Sequence, residues 1–167
     1  MKTNARNIAK DVAYMGIMVA LLWAGKLVLA SMPNVEIVTL LFIVYTLYFG
    51  KKTYLVSIGF VALEVLQYGL SIWVLMYLYI WPLLILLTDI FRGRSHMFFC
   101  FLSGAFGLLF GLLCSIPNVF ISGIPTAVAW WIDGIPYDLI HCVSNFLVCL
   151  VAYKPLCKVA EKVFAEK

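Results

Sequence analysis

The chain has 167 residues, of which 65% are hydrophobic and 12% charged, and it carries a net charge of +4. Soluble domains run at roughly 45–50% apolar and about 25% charged residues, so a soluble globular protein, a disordered chain and a nucleic-acid binder are all excluded. The length suits one domain, and the surplus of positive charge reads as membrane topology rather than as a preference for acidic partners.

A helix needs about 20 mostly apolar residues to cross a bilayer. Six such runs predict an all-α membrane protein, a bundle of six transmembrane helices at residues 12–32, 36–50, 53–70, 72–91, 97–116 and 137–153. The first run follows Lys2, Arg6 and Lys10. It is too long for a signal peptide, contains Lys26 and has no small-residue cleavage site after it, so it reads as a retained helix. Ala20 and Ala24 form a small-xxx-small pair that lets another helix approach closely. Met32-Pro33-Asn34 makes the first turn, and Glu36 opens a short second run that stops at Gly50-Lys51-Lys52. The third run carries Glu64 and Tyr68, and the fourth carries Trp73, Tyr77 and Trp81, with Pro82 set to kink it. Asp89 is spaced to pair with Arg92 at the helix end. Arg92-Gly93-Arg94-Ser95 then turns the chain into the fifth run.

Residues 117–136 read PNVFISGIPTAVAWWIDGIP, too apolar for a solvated loop. Trp130 and Trp131 suit a membrane interface. The segment is a lid or interfacial helix over the outer mouth, or an early start to the last span. The basic residues assign the sides. Eleven of the twelve Lys and Arg fall before the first run, in the second and fourth loops, or after the last run, and none falls in the first, third or fifth loop. Under the positive-inside rule both termini are cytoplasmic.

Ionisable groups inside a span are functional candidates by default. At a rise of about 1.5 Å per residue, Lys26, Glu64, Asp138, His141 and Asn145 all sit within about 14 Å of the outer end, and Glu36 sits at that end. Asp138, His141 and Asn145 are spaced i, i+3, i+7 and so share one helix stripe, which must face the bundle interior. A polar cavity opening outward is expected, with Tyr68, Trp73, Tyr77 and Trp81 as aromatic walls, the composition of a small-molecule site. Each residue also has a plainer use: Lys26 can snorkel, Glu64 can pair with it, His141 can pack, and Asp138 can cap a first turn. The five cysteines (Cys100, Cys114, Cys142, Cys149 and Cys157) are odd in number and lack a CxxC pair. They read as small buried hydrophobes, with no disulfide framework, metal site or cofactor expected.

These features resemble the substrate-binding S components of energy-coupling factor (ECF) transporters, which import vitamins in prokaryotes. The likeness covers essentially the whole chain. It rests on six spans in this length, Ala20 and Ala24 where the family has its AxxxA, Pro33-Asn34-Val35-Glu36 leading into an apolar helix that ends at Gly50, and the polar last helix beginning Ile135-Pro136-Tyr137-Asp138-Leu139-Ile140-His141. The resemblance implies a subunit of the plasma membrane that binds a vitamin-like molecule near the outer surface. It implies docking through the first helix, at Ala20 and Ala24, onto a T-component scaffold driven by two cytoplasmic ATPases. By their depth in this chain, Lys26, Asn34, Glu36, Glu64, Tyr68, Trp73, Tyr77, Asp138, His141 and Asn145 are the candidate binding residues. The absence of a GxxxxGK[ST] loop agrees, since the chain cannot energise transport itself. Two other readings stay open: an intramembrane enzyme using Glu64, Asp138 and His141, and an accessory subunit without a ligand.

Overall fold

The computed structural model describes residues 2–164, with side chains described for residues 7–164. Lys2, Arg6 and Lys167 of the charge pattern lie outside the described side chains. The chain forms α1 (Lys2–Val28), α2 (Val38–Phe49), a 3-10 turn (Gly50–Lys52), α3 (Thr53–Tyr68), α4 (Ile72–Ile90), α5 (His96–Leu108), α6 (Phe110–Ser122) and α7 (Ile124–Phe164). No strand occurs among the described residues.

Four helical stretches are long and apolar enough to cross a membrane: Asn7–Val28, Ile72–Ile90, His96–Ser122 and Ile124–Phe164. The other two expected spans are shorter rods. α2 has 12 residues and α3 has 16, lengths of about 18 and 24 Å against a hydrocarbon core of about 30 Å. The fifth run is interrupted at Leu109, which separates α5 from α6. Segment 117–136 is helical on both sides of Gly123, where φ is +85°. Its first residues finish α6 and the remainder begins α7, so the last helix starts well before residue 137. At 41 residues, α7 is about 62 Å long.

α2 is the centre of the bundle. Every residue from Val38 to Thr46 is buried, as expected of a helix that is apolar all round. It packs against α7 and α4, with α1 and α3 also in contact. Phe42 stacks on Trp81 of α4 with ring centroids 5.0 Å apart, and Phe60 of α3 meets both rings edge-on. The last carbonyls of a helix lack intrahelical donors. Here Arg92 donates to the Thr46 and Leu47 carbonyls at 2.7 Å each, and Asp89 holds the guanidinium at 2.8 Å, the expected helix-end pair.

α7 lies against α5 and α6. Gly104, Gly107 and Gly111 are also spaced i, i+3, i+7, and they form the facing seam. A Cβ on Gly107 would stand 2.7 Å from the His141 carbonyl oxygen, and one on Gly111 would run into the Asp138 carboxylate. The missing side chains let the two backbones meet. α1 is held mainly by α3 and leaves Ala20, Leu21 and Ala24 exposed.

The ends of the bundle differ in charge. Lys51, Lys52, Arg92, Arg94, Lys154 and Lys158 gather where α2 and α4 stop and α5 begins. Lys52 forms an ion pair with Asp11 there. Lys26 is at the opposite end, where α1 and α3 finish.

Candidate functional site

At that opposite end lies a cavity of about 320 Å³, at the small end of ligand sites. Lys26 of α1 and the Met32–Glu36 segment form one side, with Phe60 and Tyr68 of α3 and Tyr77 and Trp81 of α4 across from them. Phe110 of α6 and His141 of α7 complete the lining.

The first connection is fixed by its own polar groups. Asn34 takes φ +59°, a left-handed conformation that asparagine tolerates better than most residues. Its carbonyl accepts from Ser144 Oγ of α7 at 2.5 Å. Two residues on, Glu36 turns back over the start of α2. Its Oε2 accepts from the Thr39 backbone N–H at 2.8 Å, satisfying one of the free donors of that helix. Oε1 lies 3.4 Å from His141 Nε2. The imidazole packs edge-on against Phe110, with centroids 5.0 Å apart. One carboxylate therefore caps a helix and orients a buried histidine at the cavity wall.

Lys26 is held differently. Its ammonium pairs with the Glu64 carboxylate of α3 and sits 5.0, 4.8 and 5.4 Å from the ring centroids of Tyr68, Trp73 and Tyr77. Rings at this range attract a cation through their negative faces. The cage is pre-assembled, since Trp73 contacts Tyr68 and Tyr77 edge-on. Two buried polar atoms nearby have no hydrogen-bond partner, the Trp81 indole N–H and Glu64 Oε1. An orphaned buried donor is rare enough to need an explanation, and Trp81 borders the cavity.

The polar stripe of α7 faces inward as expected, with Asp138, His141 and Asn145 all buried. Its members serve different places. His141 reaches the cavity. Asp138 Oδ1 instead accepts from the Gly111 backbone N–H at 2.9 Å, at the start of α6. Asn145 Nδ2 donates to Thr39 Oγ1 of α2 at 3.3 Å. These two residues tie α7 to α6 and α2 and do not line the cavity. Of the other residues expected at a site, Lys26, Asn34, Glu36, Tyr68 and Tyr77 line it, while Glu64 and Trp73 stand behind Lys26. Phe60 and Phe110 are wall residues the sequence reading omits. Phe60 precedes Glu64 by one helical turn, a spacing that would have flagged it.

The arrangement presents a caged cation, a capped carboxylate, an imidazole and phenols around one small space. Such a set can bind and orient a compact molecule with aromatic and polar edges. No protein-family model, curated protein or solved structure matches the chain.

Proposed function

We propose that the chain is the substrate-binding S component of an ECF-type importer in a prokaryotic plasma membrane. It captures a vitamin-like micronutrient at the outer face and delivers it inward with a T scaffold and two ATPases. The observation that carries this reading is the convergence of Lys26, Glu36, Tyr68, Tyr77, Trp81 and His141 on one cavity at the end of the bundle away from the loop lysines and arginines. In the proposed topology α1, α2, α3, α4, the α5–α6 pair and α7 are six crossings, with both termini and the basic end cytoplasmic. α2 is short and enclosed by protein, and in this topology its flanking turns complete its crossing. The exposed Ala20 and Ala24 of α1 support docking onto the scaffold, since small residues let another helix approach closely.

The deciding experiment is mass spectrometry of small molecules released on denaturing the detergent-purified protein. One stoichiometric vitamin-like compound is the expected result. Adding that compound at 100 times its Kd should raise stability by about 2.7 kcal/mol, and Tyr68→Ala should weaken its binding at least tenfold. An empty protein whose melting temperature no vitamin raises sinks the reading. Separately, Ala20→Trp or Ala24→Trp should abolish co-purification with the scaffold while leaving ligand affinity intact. Undiminished co-purification refutes the docking face alone.

A further inference from the structure

The basic end of the bundle holds a second cluster of chemistry-bearing side chains, far from the cavity. His96 opens α5, and Cys100 follows one helical turn later on the same face. Cys149 meets them from α7. The imidazole and the two thiols offer donor atoms that all lie within 4.8 Å of one another. Both cysteines are 0% exposed, while His96 is half-buried at the rim. The imidazole stacks on Tyr153 at 4.7 Å, and its Nε2 lies 3.3 Å from the Cys149 carbonyl oxygen. An N–H donated to that carbonyl selects the tautomer with its lone pair on Nδ1. A ring nitrogen tied to a backbone carbonyl is the usual outer support of a metal-bound histidine.

We propose that His96, Cys100 and Cys149 bind a divalent transition ion of the Zn2+ class, clamping α5 to α7. Donors around such an ion, about 2.3 Å away for sulfur and about 2.0–2.1 Å for nitrogen, stand roughly 3.5–3.8 Å apart in a tetrahedron. The observed donors lie within 4.8 Å of one another, so binding requires each pair to close by about 1 Å or less to reach this spacing. Thiolate and imidazole donors choose such ions over Mg2+ or Ca2+. Charge selects the oxidation state. Each thiol releases its proton to solvent on binding, and two thiolates neutralise a divalent ion. A monovalent ion would leave a net negative charge in an apolar place. Three protein donors leave one tetrahedral position open, and half-exposed His96 provides the approach from the basic end. The proposal does not depend on the transport reading.

The test is a titration of the full-length protein, purified in detergent, reduced and stripped with chelator, with Co2+ as the probe. The expected result is one equivalent bound with thiolate-to-cobalt charge-transfer and tetrahedral d–d absorption, displaced by Zn2+. Cys100→Ser and Cys149→Ser should each reduce the charge-transfer band by about half or more, the double variant should lose it, and His96→Gln should weaken Co2+ binding at least tenfold. Cys142→Ser, on α7 but outside the cluster, should behave as the parent does. A parent protein without the thiolate band overturns the proposal whatever the variants do. A band that survives in the Cys100→Ser/Cys149→Ser double variant overturns it equally.

Discussion

Glu64 is 0% exposed, whereas Lys26 keeps a quarter of its side chain accessible. The two residues therefore lose different things when their partner is removed. Lys26→Met strands a carboxylate in the interior, and breaking a buried pair in this way costs about 3–5 kcal/mol. Glu64→Gln leaves a lysine that still has three rings beneath it and water within reach, so its effect should be about 1 kcal/mol. Melting temperatures in one detergent check the order, and a smaller loss for Lys26→Met than for Glu64→Gln would show that the cage, not the carboxylate, anchors the pair. Depth along the helices was enough to bring Lys26, Glu64 and the rings to one end of the chain. The partner of Asp138 was not legible, because it depends on the interruption at Leu109, which no proline or polar residue marks. The Cys149 cluster was hidden for a related reason. His96 and Cys100 share a helix face, but their third member comes from α7, and only tertiary packing unites them.

At the scale of the element, the glycine seam and the central helix carry the fold. Gly107→Ala places a methyl 2.7 Å from the His141 carbonyl oxygen, a backbone atom that yields only if α7 moves. Overpacking of this kind costs about 1–3 kcal/mol. Gly16 faces open space, so Gly16→Ala should gain up to about 1 kcal/mol from helix propensity. Opposite shifts in melting temperature are expected, and a neutral Gly107→Ala would mean the seam is not close-packed. Helix positions for α2, α3 and α4 followed directly from apolar runs and basic turns. The role of α2 did not, because hydropathy registers apolar residues without distinguishing lipid from protein as their surroundings. Segment 117–136 resolved into helix because its apolar residues pack or face outward on rods, with Gly123 alone supplying the break.

For the whole molecule, the separation of basic charge between the two ends is the feature legible before any coordinates, since loops with lysine and arginine alternate with turns that have neither. In the proposed orientation, a single cysteine placed at exposed Lys51 in a cysteine-free variant should resist an impermeant maleimide in intact cells and react after permeabilisation. One placed at exposed Leu70 should react in both cases. The reverse pattern would invert the molecule and put the cavity on the cytoplasmic side. The length of α7 bears on how these two ends communicate. It is one continuous helix that lines the cavity at His141, crosses the glycine seam and carries on to Phe164 beside Tyr14 and Phe49. From His141 its two arms run about 26 and 35 Å. Each arm contains a proline, Pro136 in one and Pro155 in the other, that removes a hydrogen bond from the helix ladder. In the proposed function, a molecule held against His141 and the lysines before Phe164 are thus joined by one helix, with a proline on either side of the glycine seam.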